Sequence, residues 1–177
     1  PSTAEAEAEM DAARRAGAHF VGIGEADYPP MLKTMDNPPP LLAMKGEGAV
    51  FRLPAVAIVG ARNASLAGIK MARMLAADLG RDGYAIVSGL ARGIDTSAHK
   101  GSLATGTIGV LAGGLDRPYP PENAGLCDEI ADHGGAIVSE MPFGWQPRAQ
   151  DFPRRNRLVA GMALGLVVVE AALRSGS

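Results

Sequence analysis

The sequence lacks the residues and runs that would assign it to several common classes of protein. Cys127 is the one cysteine among 177 residues, which excludes a disulfide framework and a cysteine-rich metal site. The longest apolar run, residues 158–169, is shorter than the roughly 20 residues that span a bilayer. The first residues, PSTAEAEAEM, are acidic and do not fit a secretory signal. We therefore expect a cytoplasmic protein with no membrane partner and, since it starts with proline, a piece of a longer chain.

Signatures of catalysis and of mononucleotide hydrolysis are missing as well. The chain contains no G-x-G-x-x-G of dinucleotide-binding dehydrogenases, no G-K-[ST] of P-loop NTPases and no G-x-S-x-G of hydrolases. His19 and His133 have no cysteine or acidic partners at metal-ligand spacing, and His99 fits a structural role inside a predicted helix. The carboxylates near predicted strand ends are too scattered to define an acid–base pair: Asp95, Asp116, Glu140 and Glu170. The sequence assigns no catalytic residue, metal or cofactor.

The chain also lacks a large excess of acidic or basic residues, since its formal net charge is only −2. Its distribution is uneven, because residues 1–50 carry eight acids and four bases, whereas residues 148–157 carry four arginines and one acid. A local basic patch can attract a polyanion even when the whole chain is slightly acidic.

From residue 55 onwards, apolar strands alternate with helices. Predicted strands cover 55–59, 84–88, 107–112, 136–139 and 165–170. Predicted helices cover 65–80, with an apolar face of Leu66, Ile69, Leu75 and Leu79, and 93–104, 121–133 and 153–163, with Pro153 as the first helical residue. This alternation is typical of a parallel sheet covered on both faces. We predict a doubly wound, mainly parallel, Rossmann-like α/β fold whose ligand lies beyond the carboxyl ends of the strands.

The first fifty residues are less regular and are predicted to form a short N-terminal extension that docks on residues 51–177. Within it we predict a helix over 3–16, a strand over 19–24, a short helix over 29–35 and an edge strand over 41–46.

Three loops that carry glycine or arginine lead into the start of a helix. The first contains Gly60, Arg62 and Ser65, the second Ser88, Gly89 and Arg92, and the third, DFPRRNR, contains Phe152, Arg154, Arg155 and Asn156. The helix dipole disfavours cations at an N-terminus, so arginines there indicate a bound anion. Together these loops predict a surface for several phosphates.

Structural interpretations of the same residues remain open. Ser65 fits an N-cap, and Gly89 fits close packing between sheet and helix. Arg92 can pair with Asp95 or Asp116. Phe152 fits a core residue as well as it fits stacking on a nucleobase.

Six segments in order, VAIVGARNAS, VSGLARGIDTSAHKG, VLAGGLDRPYPPEN, IVSEMPFG, FPRRNRLVAG and VVVEAALRSGS, resemble the DNA-processing protein A family, also called Smf. Residues 19–46 also look like the segment that precedes its Rossmann-like domain. The resemblance implies a non-catalytic homodimer that binds single-stranded DNA in natural transformation and loads the RecA recombinase.

The resemblance also implies which residues contact DNA. They are Gly60, Arg62, Ser65, Ser88, Gly89, Arg92, Phe152, Arg154 and Asn156, with Ser175, Gly176 and Ser177 starting a further phosphate-facing loop. The neighbouring Arg155 belongs to the same basic helix start. Family members continue into a further helix and strand, so the resemblance implies that the domain is truncated at its C-terminal end.

Two other functions share this kind of fold. One is an enzyme of the lysine-decarboxylase-like superfamily that cleaves a nucleoside monophosphate, although AGGLDRPYPPE lacks the glycine-threonine pair of the PGGxGTxxE signature. The other is a nucleotide-sensing module. Affinity that grows with oligonucleotide length favours DNA binding, whereas saturation by AMP favours the other two.

Overall fold

The computed structural model describes residues 2–171, which form a seven-stranded sheet flanked by helices. The strands are β1 (Ala18–Gly22), β2 (Leu41–Gly46), β3 (Ala55–Val59), β4 (Ala85–Ser88), β5 (Thr107–Val110), β6 (Ala136–Ser139) and β7 (Gly165–Val168). The α-helices are α1 (Thr3–Arg15), α2 (Leu66–Arg81), α3 (Ile94–Ser102), α4 (Ala124–Asp132) and α5 (Asp151–Gly161). Short 3₁₀ helices cover Met31–Thr34, Gly48–Arg52 and Pro121–Asn123.

The strand order β1-β2-β6-β5-β4-β3-β7 contains a parallel block from β6 to β7. Strands β2 and β1 extend it as an antiparallel pair. The predicted doubly wound, mainly parallel α/β fold is therefore confirmed. The chain runs from β3 through β4 and β5 to β6 in one direction and then returns to place β7 on the other side of β3. Ligands of such sheets bind where this order reverses.

Strand β2 differs from the prediction, because residues 41–46 do not form an edge strand. The strand lies between β1 and β6, and its residues Leu42, Ala43 and Met44 are all buried. A run of consecutive buried apolar residues is typical of a strand covered on both faces. The division of the chain into an extension and a main domain at residue 50 stays a prediction. Residues on either side of this boundary, such as Leu32 and Phe51, pack into one hydrophobic core.

The two faces of the sheet carry different helices. Ile58 and Ile86 pack with residues of α2 and α3 on one face, where α4 also lies against Ile137. On the other face, Leu158 and Val159 of α5 pack with the N-terminal segment. This arrangement follows from the winding order. Crossover connections between parallel strands are right-handed, so crossovers that run in opposite directions along the sheet place their helices on opposite faces.

The inner face of α2 also differs from the prediction. Leu66, expected in the apolar face with Ile69, Leu75 and Leu79, is 86% exposed. The buried residues of α2 are instead small: Gly68, Ala72, Ala76 and Gly80. Close approach of α2 to α3 explains this choice, because larger side chains would hold the two helices apart.

Helix α5 starts two residues earlier than predicted, at Asp151, so Pro153 is its third residue and not its first. The N–H groups of the first turn have no acceptor within a helix, so a proline there removes no helical hydrogen bond. Within residues 2–171, no helix is long and apolar enough to cross a membrane.

His99 of α3 is fully buried beneath the sheet. Its Nδ1 lies 2.7 Å from Oγ1 of Thr107, and the Thr107 hydroxyl itself donates to the Ile86 carbonyl at 3.0 Å. The Thr107 oxygen is thereby left to accept a hydrogen bond from Nδ1–H. Burial, with a further contribution from the Arg155 charge, lowers the pKa of His99 to about 3. The imidazole is therefore neutral at physiological pH.

This buried imidazole makes the fold sensitive to acid. Because the pKa of His99 is lowered in the folded state, the unfolded chain binds a proton that the folded chain does not. The contribution to the free energy of unfolding is complete above the ordinary histidine pKa and falls by about 1.4 kcal/mol per pH unit as the pH drops from there towards 3. Urea unfolding of the wild type and of His99→Gln over this range measures it.

We expect the pH slope of His99→Gln to be smaller by about one proton. The matched control is His133→Gln, which changes an exposed histidine and should keep the wild-type slope. Equal slopes for the wild type and His99→Gln would contradict the buried, neutral assignment.

Candidate nucleic-acid interface

A crevice of about 820 Å³ opens beyond the carboxyl ends of β3 and β4 and runs along α5. It is continuous with a smaller pocket of about 220 Å³, because Arg62, Gly89, Phe152 and Arg155 line both. The smaller pocket is completed by Asn63, Ala91, Arg92, Tyr119 and Pro120. The crevice lies beyond the carboxyl ends of the strands, as predicted from the sequence, and at the point where the winding order of the sheet reverses.

The first loop, residues 60–65, is held by the segment that follows β7. The Ala61 N–H donates to the Glu170 carbonyl at 2.6 Å, and the Ser65 hydroxyl donates to the Glu170 carboxylate at 2.8 Å. The Ser65 oxygen also accepts from the Gly68 N–H at 3.0 Å, so Ser65 is the N-cap of α2. An internal carboxylate thus sits at the N-terminus of α2, where the helix dipole favours negative charge.

The second loop, residues 89–93, is held from both sides by buried charges. The Asp95 carboxylate accepts from the Gly89 N–H at 3.1 Å and the Ala91 N–H at 3.3 Å. Nη1 of Arg155 donates to the Gly89 carbonyl and, at 2.8 Å, to the Val110 carbonyl. Asp95 thus already accepts a hydrogen bond from each of these N–H groups, and the contact of Gly89 with DNA stays a prediction.

Two glycines allow the three loops to approach one another. A side chain at Gly89 would overlap the Arg155 guanidinium. Gly93 has a φ of 73°, in the left-handed region, and a side chain there would overlap the Ala61 carbonyl of the first loop.

The arginines of α5 have separate partners and do not form one patch. Arg154 Nε lies 2.9 Å from a Glu140 carboxylate oxygen, and Arg157 pairs with the other oxygen of the same carboxylate. Arg155 is 6% exposed, and its Nε donates to the Asn156 side chain at 3.1 Å. Glu140, which the sequence did not indicate as a partner of these arginines, therefore balances part of the positive charge at this helix start.

Burial also perturbs the charges around Arg155. Burial raises the pKa of Asp95 above its ordinary value, while the Arg155 charge opposes that rise. Burial lowers the pKa of Arg155, Asp95 opposes that effect, and the nearby Arg62 charge adds to it. Arg62 and Arg155 are therefore two cations close together in one pocket.

Arg62 is exposed and projects over an aromatic ring. Its guanidinium carbon lies 5.1 Å from the centre of the Phe152 ring. Over the described part of the chain, no carboxylate lies within ion-pair distance of Arg62. Arg92 pairs with Glu122, which is neither of the two partners, Asp95 and Asp116, that the structural alternative offered. Among residues 2–171, Arg62 is thus the exposed arginine of this pocket that has no carboxylate partner.

Seven of the predicted residues line the crevice or its pocket: Gly60, Arg62, Gly89, Arg92, Phe152, Arg155 and Asn156. Three others line neither. Ser88 is fully buried and donates to the Ile58 carbonyl at 2.6 Å, Ser65 caps α2, and Arg154 lies beside Glu140. Ser175, Gly176 and Ser177 lie outside the described residues.

Sequence reasoning missed the contribution of the loop after β5. Tyr119 and Pro120 line the pocket, and the Tyr119 ring lies 5.6 Å from the Phe152 ring. The signal was present, since β5 is parallel to β4 and its carboxyl end lies at the same edge of the sheet. Across residues 2–171, no group of three or more His, Cys, Asp or Glu side chains is placed to hold a metal ion.

The winding of the sheet and the crevice at its reversal point define a Rossmann-like α/β protein. Among known families, the model described as DNA recombination-mediator protein A matches residues 19–177. The chain belongs to this family.

Individual relatives agree with this assignment. Protein Smf of Escherichia coli K12 is 41% identical over 161 residues, covering 90% of this chain and 43% of that protein. DNA processing protein DprA of Bacillus subtilis is 39% identical over 171 residues, covering 95% of this chain and 57% of that protein. The chain thus spans about half the length of these curated relatives.

Two solved structures share the fold. The X-ray structure of DNA processing protein A from Streptococcus pneumoniae matches with a TM-score of 0.87 and 37% identity, over 100% of this chain and 61% of that one. DNA processing protein A from Helicobacter pylori, whose structure concerns its single-stranded DNA binding mode, matches with a TM-score of 0.82 and 30% identity, over 91% of this chain and 74% of that one.

The two arginines of the pocket should differ in their effect on stability. We expect Arg155→Ala to lower the free energy of unfolding by roughly 3 kcal/mol, because two strand-end carbonyls lose their donor and Asp95 loses its compensating charge. Arg62→Ala should change it by less than about 1 kcal/mol, since it removes an exposed cation and one ring contact. Chemical denaturation of both variants measures the difference, and equal losses would contradict these roles.

Proposed function

We propose that this chain binds single-stranded DNA along the crevice and acts, without catalysis, as part of a recombination mediator. In this proposal the protein works in the cytoplasm as a homodimer, takes up DNA strands that enter in natural transformation and loads the RecA recombinase onto them. Membership of the DNA recombination-mediator protein A family and the single-stranded DNA binding described for the Helicobacter pylori relative support it.

The observation that carries the proposal is the charge arrangement around Arg62. Two guanidinium groups lie close together in one pocket, and of these Arg155 is buried beside Asp95 while Arg62 is exposed without an ion-pair partner among residues 2–171. Asp95 compensates the charge of Arg155 but not that of the exposed Arg62, and because two neighbouring cations repel each other, an anion beside Arg62 is favoured. A phosphate of a nucleic acid supplies that charge and matches the planar fork of a guanidinium.

Other exposed arginines extend the phosphate contact at Arg62 into a phosphate track, a row of cations along which one strand lies. Arg92 and Glu122 have side chains that are 60% and 50% exposed, and Arg154 is 57% exposed beside Glu140. Exposed ion pairs contribute only about 0–1 kcal/mol, so a phosphate can displace Glu122 from Arg92. The Glu140 side chain is only 7% exposed, but Arg157 stays as its partner if Arg154 turns to a phosphate. We therefore place the strand along Arg62 and Arg92, which line the pocket, and onwards to Arg154, which lies outside that lining beside Glu140. Arg155 holds the second loop in place.

The predicted salt dependence tests this placement. Binding of oligo-dT should weaken as the salt concentration rises. The slope of log affinity against log salt concentration is negative, and it should become less steep by about 0.7 for each phosphate contact removed. We expect Arg62→Ala to weaken the affinity and to make the salt slope less steep by the amount of one phosphate contact, because it removes a cation and leaves the loops intact. Fluorescence anisotropy over a series of salt concentrations measures both quantities.

The matched control is Arg81→Ala. Arg81 is an exposed arginine at the opposite end of α2, where it pairs with Asp78. The helix separates it from the crevice by about 24 Å, so its removal should change neither the affinity nor the slope. If Arg62→Ala and Arg81→Ala bind alike, the phosphate track does not run past Arg62.

A further inference from the structure

The aromatic pair beside the pocket is not symmetrical. Phe152 and Tyr119 meet edge to face, with ring centroids 5.6 Å apart and an interplanar angle of 62°. Phe152 is half-buried, and the Arg62 guanidinium lies over its ring. Tyr119 is 48% exposed. The ring open to a ligand is therefore that of Tyr119.

The backbone that carries Tyr119 is anchored on both sides. After it, the Asn123 side chain donates at 2.8 Å to the Leu90 carbonyl of the second loop and at 2.8 Å to the Thr96 hydroxyl. Before it, the Gly113 carbonyl accepts from the Ser139 hydroxyl at 2.6 Å. An exposed aromatic ring on an anchored loop loses little conformational freedom when a ligand stacks on it.

We propose that Tyr119 is the residue on which a nucleobase stacks at the mouth of the pocket, with Phe152 as the inner support that fixes both Tyr119 and Arg62. This inference rests on the proposed binding of single-stranded DNA and assigns the base contact within it. A strand whose phosphate pairs with Arg62 passes beside the exposed Tyr119 ring, because both side chains contact Phe152.

The proposal explains how the pocket prefers single strands without reading a sequence. Every base has a π-face, and stacking on an aromatic side chain contributes independently of base identity. In a duplex both faces of each base are stacked on neighbours, so the Tyr119 ring has no partner there. Tyr119 carries no charge, so its contribution is separable from that of the arginines by its salt dependence.

The test is oligo-dT binding by Tyr119→Leu across a salt series. We expect the affinity to fall by roughly 5- to 150-fold, the range that alanine substitution of stacking residues gives. The log–log salt slope should stay that of the wild type, because no phosphate contact is lost. Tyr119→Phe should restore wild-type affinity, since it keeps the ring.

Tyr84→Leu is the matched control, because Tyr84 is a half-buried tyrosine before β4, at the opposite edge of the sheet. Wild-type affinity for Tyr119→Leu, or a loss that Tyr119→Phe shares, overturns the stacking role. Failure of the wild-type chain to bind any oligo-dT would overturn the proposed function itself, so the two failures are distinguishable.

Photo-crosslinking gives a second readout that does not depend on the variants. Oligo-dT in which one base is 5-iodouracil should crosslink to Tyr119, identified by mass spectrometry of the digested protein. Crosslinks at Phe152 with none at Tyr119 would reverse the order of the two rings and overturn the proposal.

Discussion

The guanidinium of Arg155 reaches from α5 to carbonyl groups at the ends of two neighbouring strands, Gly89 after β4 and Val110 in β5. A buried cation is costly unless it is hydrogen-bonded and compensated, and here the strand-end carbonyls and Asp95 meet both needs. The same Asp95 accepts two N–H groups of the second loop. Helix α5, the ends of two strands and the glycine loop are thereby joined in one hydrogen-bonded unit.

The charge on the surface follows from this internal arrangement. Asp95 balances Arg155 inside the protein, and Glu140 receives Arg154 and Arg157. Glu122 pairs with Arg92, and the Glu170 carboxylate lies at the start of α2. Carboxylates within the protein thus balance most of the arginines from which the sequence predicts a basic surface. In the pocket, as far as residues 2–171 show, Arg62 is the exposed arginine with no carboxylate partner, and it lies beside the two aromatic rings.

The sequence predicted the fold well because its main signal is local. Apolar strands alternating with helices determine a parallel sheet, and the reversal of winding order determines where the crevice lies. Strand β2 was placed at the edge because the strand predicted over 19–24 was not paired with it, whereas β1 lies beside β2 as its antiparallel partner. The inner face of α2 was also missed, since periodicity favours leucines over the alanines and glycines that close helix packing requires.

The site was harder to predict, because long-range pairing decides which charged residues are available. Arg154 and Arg155 are adjacent in the sequence, yet one pairs with Glu140 near the surface and the other is buried against β4 and β5. No local pattern separates them. Tyr119 was within reach of the sequence, because the carboxyl end of β5 lies at the same edge as the other loops.

The central claim is that the crevice binds an extended strand and not a single nucleotide. Competition against a labelled oligo-dT, using unlabelled oligo-dT of increasing length beside dTMP and AMP, tests it most directly. A track that runs past several loops predicts that affinity rises with length until the loops are spanned, with little competition from either mononucleotide. Full displacement by dTMP or AMP, with no gain from added length, would contradict the account and point to a mononucleotide site.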